Sequence, residues 1–271
     1  MKAGESVGVP LQVSVCMATY NGATYLAEQL RSILDELEST DEVVIVDDAS
    51  TDETLAVIAA LRDPRVRVFA QSENQGYVRT FARAMELASG EILMLADQDD
   101  VWVPGRRHVL VEGLRDGGVA ASNLVLLGDD LPLRSPLSGK PWRLRAGTSR
   151  QQLRNELRIL AGIAPYFGCA MAVRRDFVGF VLPFPAFLVE SHDLWIATVA
   201  NTFGQLRHIE DPTVRRRIHD SNASSPRPRG AFAALRSRWM LVRAWREAVR
   251  RRRMSVHQIG GVKRAPGHLR D

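Results

Sequence analysis

Cysteine is nearly absent: Cys16 and Cys169 are the only two in 271 residues. Each sits among apolar neighbours, which excludes a disulfide scaffold and a cysteine-based metal cluster and reads as a buried thiol of a reducing compartment. No apolar run approaches the roughly 18 residues of a membrane-spanning helix. The first ten residues carry one lysine and no apolar core, so they read as a loose leader without a signal-peptide pattern. The expected location is therefore cytoplasmic. Two phosphate-binding signatures are missing too. No glycine run ends in Lys-Ser or Lys-Thr, and no G-x-G-x-x-G follows the first strand, which disfavours a P-loop and a dinucleotide fold. Lysine is scarce as well, with Lys2, Lys140 and Lys263 the whole set.

Charge is present but uneven. The net +5 divides into residues 226–271, with 13 Lys and Arg against Glu247 and Asp271, and a remainder with 23 basic and 29 acidic residues. An acidic body thus carries a basic tail. There are no internal repeats.

From residue 13 to residue 96 short apolar runs alternate with helical spacing. Val13–Met17, Val43–Val46, Val66–Phe69 and Ile92–Leu95 read as buried strands. Leu26, Leu30, Ile33 and Leu37 recur on one helix face, and so do Leu55, Ile58 and Leu61 behind a Ser50/Glu53 capping box. Val78, Phe81, Ala82 and Met85 give a third helix after an Asn74-Gln75-Gly76 turn. Strand–helix alternation predicts an α/β fold with a mostly parallel sheet and helices on both faces. Beyond Pro104 the pattern weakens. Strands are expected at 119–127, 168–173 and 206–209, helices at 152–163 and 190–203, a loop at 128–150, a linker at 221–230 and a basic helix from about Ala231 to Arg253. The division is a leader (1–10), one domain (11–225) and a basic helical tail (226–271).

Three strand ends carry polar clusters: Thr19-Tyr20-Asn21, Asp47-Asp48, and Asp97-Gln98-Asp99-Asp100. In a parallel sheet these ends share one edge, where open α/β sheets bind ligands. On an extended chain Asp97 and Asp99 would project the same way. Paired carboxylates repel unless a cation lies between them, and their oxygens suit Mg²⁺ or Mn²⁺. The plainer alternative is an acidic loop capping the next helix. Asp48 could accept hydrogen bonds from a base or ribose, and Tyr20 could lie against a base. A nucleoside-diphosphate donor would touch all three ends.

Ala-Thr-Tyr-Asn-Gly, Val-Asp-Asp-Ala-Ser-Thr-Asp-Glu-Thr, Asn-Gln-Gly and Ala-Asp-Gln-Asp-Asp-Val-Trp-Val-Pro, in this order, resemble the family 2 glycosyltransferases of the GT-A fold over about residues 11–225. The Asp-Gln-Asp-Asp-Val-Trp form resembles the bacterial rhamnosyltransferase-like branch. The resemblance implies that Thr19, Tyr20, Asn21, Asp48 and Asp97 bind the nucleotide. It makes Asp99 the metal ligand, with His219 approaching metal or diphosphate from a closing segment, Arg217 to Asn222. It makes Asp193, in Ser-His-Asp-Leu-Trp, the catalytic base, with Gly168, Cys169, His192 and Trp195 on the acceptor side. The implied reaction is an inverting sugar transfer, with dTDP-rhamnose the best-matched donor and a glycan or lipid-linked acceptor of bacterial surface polysaccharide synthesis.

Each reading has a rival. Asp193 could be a helix N-terminal acid favoured by the dipole, His192 a structural partner of its turn, and Arg79 and Arg83 a solvated helix face. A D-x-D phosphotransferase lacks a lysine for its phosphoryl group, and a receiver module would be far shorter. A non-catalytic nucleotide-sugar binder on the same fold would lack the base. In the tail, Phe232, Leu235, Trp239, Val242 and Val249 trace an apolar stripe, with Arg236, Arg243 and Arg250 expected on the other side. Such a helix either meets an anionic membrane surface, placing the protein peripherally on the inner face of the plasma membrane, or packs on the body. No nucleic-acid reader motif accompanies the charge.

Overall fold

Parallel strands with both faces covered form the frame. In the computed structural model, which describes residues 11–135, 138–219 and 231–262 (only the backbone at 231, 233 and 257–262), the chain runs β1 (Val13–Thr19), α1 (Ala23–Leu34), β2 (Glu42–Asp47), α2 (Thr54–Leu61), β3 (Val66–Ala70), α3 (Tyr77–Leu87) and β4 (Ile92–Ala96). It continues with β5 (Val101–Trp102), α4 (Arg106–Gly113), β6 (Val119–Leu126), α5 (Gln152–Ala161), β7 (Met171–Arg174) and α6 (Arg175–Val181). It ends with α7 (His192–Phe203), β8 (Leu206–Arg216) and α8 (Ala231–Val262). The leader, the 221–230 linker and the Asp220–Asn222 part of the closing segment lie outside the described residues.

The eight strands lie in the order β3-β2-β1-β4-β7-β6-β8-β5. β3, β2, β1 and β4 are parallel, β7 is antiparallel to β4 and β6, β6 and β8 are parallel, and β5 is antiparallel to β8. The sheet is therefore mixed beyond β4. Register sets Thr19 beside Asp47 and Met17 beside Ala96, which brings the polar strand ends to one edge. Alternate residues serve opposite faces. Val13, Val15, Met17, Val43 and Ile45 pack with Leu26, Leu30 and Ile33 of α1, whereas Cys16, Val44 and Val46 pack with Phe81 and Met85 of α3. Each fully buried Val, Leu or Ile is worth roughly 1.5–3 kcal/mol, and such strands read as unbroken apolar runs because neither face meets water.

The structure corrects several expectations. Ser50 does not cap α2: its hydroxyl donates to Asp47 Oδ2 (2.5 Å), and Asp52 Oδ1 accepts the Thr54 N–H (3.0 Å) instead. Residues 168–170 form a tight turn ahead of β7. β8 runs 11 residues, past Glu210-Asp211-Pro212, because the register shifts opposite Asn123 absorb the proline, and Asn123 Nδ2 donates to the Glu210 carbonyl (2.8 Å).

Glu156 of α5 is buried against α7. Thr198 Oγ1 donates to its Oε1 (3.3 Å) and Asn201 Nδ2 to its Oε2 (3.0 Å), yet burial pushes the carboxyl up from 4.5 to about 7. A raised folded pKa means stability present below pH 4.5 and lost as pH rises through about 7, by up to about 3 kcal/mol. Glu156→Gln should therefore raise the melting temperature by about 5 °C at pH 8 relative to parent and leave it nearly unchanged at pH 5. Equal shifts at the two pH values in thermal denaturation would refute the assignment.

Candidate active site

The polar strand ends open into a cleft of about 610 Å³ lined by Thr19, Tyr20, Asp48, Tyr77, Asp97, Asp99, Asp100, Gly168, Cys169, His192, Asp193 and Arg216 among others. It sits at the carboxyl edge of β1, β2 and β4, closed on the far side by the start of α7.

The first wall is built from two aspartates with different tasks. Asp47 is fully buried and accepts from Thr19 Oγ1 (2.9 Å), Ser50 N–H (2.9 Å) and Ser50 Oγ, so it braces the loop. Asp48 accepts from Gln75 N–H (2.7 Å), Gln71 Nε2 (2.9 Å) and, on its other oxygen, Gly76 N–H (2.9 Å). Gly76 has φ +85, a backbone conformation open to glycine, and it lets the turn present both N–H groups. Asp48 thus holds the Asn-Gln-Gly turn while still lining the cleft. Tyr20 is 47% exposed at the mouth, its backbone clamped by Gln98, which accepts from Tyr20 N–H (2.9 Å) and donates to the Tyr20 carbonyl (3.0 Å). A flat, exposed ring on a fixed backbone suits stacking on a base. Asn21, expected among the nucleotide ligands, does not line the cleft. It adopts a left-handed conformation and joins two loops, accepting Thr51 N–H (2.8 Å) and donating its own N–H to Ser50 Oγ (3.0 Å).

The floor is the Asp97–Asp100 turn. β4 ends at Ala96, so strand alternation does not carry on to Asp99. Asp97 and Asp100 approach each other instead, their carboxylates and the Cys169 thiol lying within 4.8 Å. Asp99 turns away to His219, with Nε2 and Oδ2 2.7 Å apart, and His219 packs on Tyr25 at 4.8 Å. Asp100 is buried and accepts Arg217 N–H (3.1 Å). Burial and mutual repulsion push Asp97 up to about 8 and Asp100 up to about 6, while Arg216 opposes both. Burial is the larger cause for both, and the repulsion of the neighbouring carboxylates acts in the same direction. The Cys169 thiol is pushed up by burial and stays neutral. Asp97 and Asp100, crowded hard oxygen donors of like charge, fit a divalent cation, and Asp99 lines the same cleft.

The far wall is the first turn of α7. Asp193 Oδ1 accepts Leu194 N–H (2.8 Å), and the Gly168 backbone also hydrogen-bonds the carboxylate. Burial nevertheless raises it to about 6. His192 is buried and neutral, lowered to about 4 by burial, and stacks on Phe81 at 4.4 Å and edge-on to Tyr77 at 5.7 Å. Gly168 faces it so closely that a Cβ there would lie 2.7 Å from His192 Nε2. Trp195, expected on the acceptor side, does not line the cleft. It is fully buried in the core, donating Nε1–H to the Val181 carbonyl (3.0 Å).

Three residues were missed from sequence. Arg216 is a cleft cation that faces both the Asp97–Asp100 cluster and Asp193, and its guanidinium lies 5.0 Å over the Phe167 ring. Asp100 was read only as part of the acidic run. Arg106 lies buried beneath the floor, donating to Thr213 Oγ1 (2.6 Å) and to the Cys169 (2.7 Å) and Leu95 (3.2 Å) carbonyls. The Arg215-Arg216-Arg217 run was the available signal for the first.

Residues 14–179 match the glycosyl transferase family 2 description. The chain belongs to that family. It is 34% identical over 120 residues to the succinoglycan biosynthesis protein ExoO of Rhizobium meliloti, covering 44% of this chain and 34% of that one. It is 31% identical over 112 residues to the teichuronic acid biosynthesis glycosyltransferase TuaG, a putative assignment in Bacillus subtilis, covering 41% and 44%. These matches span less than half of either relative. Among solved structures, S. aureus TarS 1-349 in complex with UDP-GlcNAc has a TM-score of 0.61 at 21% identity, over 78% of this chain and 60% of that one. The mannosyltransferase PcManGT from Pyrobaculum calidifontis, in complex with GDP-Man and Mn²⁺, gives 0.58 at 22%, over 92% and 66%. The fold is GT-A-like.

Proposed function

We propose that this family 2 chain transfers a sugar from a nucleoside-diphosphate donor to a hydroxyl of a glycan or lipid-linked acceptor, with inversion, in making a bacterial surface polysaccharide. The observation that carries this reading is a buried carboxylate, Asp193, held across one cleft from an acidic cluster and a cation. Relatives whose names place them in succinoglycan and teichuronic acid biosynthesis support the polysaccharide setting.

In this reading Tyr20 and the turn held by Asp48 seat the nucleoside. Asp193 accepts the proton of the acceptor hydroxyl as that oxygen bonds to the anomeric carbon, and the bond to the diphosphate oxygen breaks with its electron pair leaving on the diphosphate. One displacement inverts the centre. Arg216 faces the place where that charge develops. Asp97, Asp99 and Asp100 would hold Mg²⁺ or Mn²⁺, which when bound supplies Lewis-acid neutralisation of the diphosphate. His219 orients Asp99. Gly168, Cys169 and His192 form the acceptor side, with His192 a neutral, aromatic-caged wall. The donor is proposed as dTDP-rhamnose, on the Asp-Gln-Asp-Asp-Val-Trp and His-Asp-Leu-Trp segments; turnover only with another nucleotide sugar in a donor screen would remove that detail.

Calorimetric titration with UDP, dTDP and GDP, with and without Mn²⁺, tests the core of the reading. Metal-dependent binding of one nucleotide, weakened by about tenfold or more in Asp99→Ala, is expected. Binding of none with metal present would overturn the donor site.

A further inference from the structure

The outward face of α8 does not show the arrangement expected from its sequence. Ser237, Met240, Leu241, Ala244 and Ala248 turn inward, the last four packing into the α7 core. Phe232, Leu235 and Trp239 point out, 82%, 69% and 59% exposed. Arg236, Arg243, Arg246 and Arg250 are exposed too. At 3.6 residues per turn they continue the same outward stripe rather than occupying an opposite side. The stripe therefore concentrates its largest apolar side chains in its first part and carries arginines along its whole length, from Arg236 to Arg250. Glu247 is the only acid in α8, and it is taken by Arg250 and Arg251. Arg236 and Arg246 have no carboxylate partner among the described residues. Beside α8, α5 adds exposed Leu153 and Leu157 next to Arg154 and Arg158.

Contacts fix the direction of the helix. Arg238 lies against Gly162 at the end of α5, and the Arg243 guanidinium sits 4.2 Å over the Phe187 ring, five residues before His192. Arg252 donates to the Thr202 carbonyl (2.9 Å) at the far end of α7. α8 thus runs alongside α7 in the same sense, and its apolar part lies at the end of α7 that carries Asp193.

We infer that this face docks on an anionic lipid surface. Trp, Phe and Leu side chains enter the headgroup–acyl boundary, and flanking arginines meet lipid phosphates while their stems stay apolar. No helix among the described residues is long and apolar enough to cross a bilayer, so the contact is peripheral. A second copy is the less fitting occupant, because Glu247, the one acid of α8, is already paired with Arg250 and Arg251 and leaves none to answer the arginines of a two-fold interface through this stripe. Docking would hold the Asp193 end of the cleft near the membrane, where a lipid-linked acceptor of the proposed transfer would lie. The docking surface itself does not depend on that transfer.

Flotation of the full chain with vesicles of equal parts phosphatidylglycerol and phosphatidylcholine tests this. Binding is expected at low salt, with loss at high salt and little binding to phosphatidylcholine alone. Leu235→Ser with Trp239→Ser should weaken partition by about tenfold or more, and Arg236→Gln with Arg246→Gln should weaken it severalfold. Nucleotide affinity should be unchanged in both, which separates this result from failure of the donor site. No flotation, or flotation unaffected by the apolar pair, would overturn the inference. So would a dimer that the apolar pair dissociates, which would assign the face to a second copy.

Discussion

Asp193→Asn is expected to lower the transfer rate by about a thousandfold while nucleotide affinity stays within a few-fold of parent, since a positioned general base contributes roughly 10²–10⁴. The amide keeps the size of the carboxylate and can still accept the Leu194 N–H bond, so the first turn of α7 should persist. What it cannot do is take a proton. The same group predicts the pH profile. Only the ionised carboxylate is a base, and burial places its titration at about 6. Rate should therefore fall as pH drops through about 6, and the residual rate of the variant should not follow that curve. A variant retaining a third of parental turnover would show that proton removal lies elsewhere; His192 is a poor substitute, being buried and lowered to about 4.

The half of the fold before Asp97 was legible because its signals are local. β1, β2 and β4 are predominantly apolar runs, the first two followed by helical spacing, as expected of a sheet covered on two faces. Past Ala96 the determinants are distant partners. β5 is two residues long and exists because Val101 and Trp102 pair with Arg215 and Val214, over a hundred positions away. The Glu210-Asp211-Pro212 segment looks like the end of a strand until Asn123 is seen bridging it. The far wall of the cleft was half legible. Asp193 and His192 sit in the cleft as expected, but Trp195, one turn on, belongs to the core, and nothing in Ser-His-Asp-Leu-Trp distinguishes the two faces of that turn. In α8 the helix was legible and its exposed face was not, because arginine stems tolerate either side.

Electrostatics explains why the site needs residues that no motif contains. Three carboxylates in a four-residue turn crowd one another, and Asp97 also feels Asp193 across the cleft. Arg216 offsets this from the open side and Arg106 from below. Their tasks differ. Arg216 is half-buried, borders the cleft and can meet a diphosphate, whereas Arg106 touches no ligand-accessible space and acts on the shape of the floor.

Arg106→Met is the substitution with the largest expected cost in stability. Its guanidinium has no ion-pair partner among the described residues; it is held by two carbonyls, one hydroxyl and the Trp102 ring at 4.4 Å. Burial lowers it only to about 10, with Asp100 and Asp97 favouring its charge, so it remains a cation at neutral pH. Two effects compete. Removing a buried charge recovers a desolvation cost of several kcal/mol. Against it, hydrogen bonds from a charged donor contribute roughly 1.5–3 kcal/mol each, and carbonyls left unpaired cost about 1–3 kcal/mol apiece. The Leu95 and Cys169 carbonyls would lose their guanidinium donor, and Asp97 and Asp100 would lose the positive charge beneath them. The second effect wins, by about 4 kcal/mol, which for a chain of this size lowers the melting temperature by about 10 °C. Arg106→Lys keeps the charge but not the planar fork that reaches β4, β8 and the 168–170 turn together, so it should lose about half as much. Differential scanning calorimetry of the two variants decides the matter. A methionine variant melting within a few degrees of parent would mean that the floor is held by its backbone alone, and equal losses for methionine and lysine would assign the effect to geometry rather than charge.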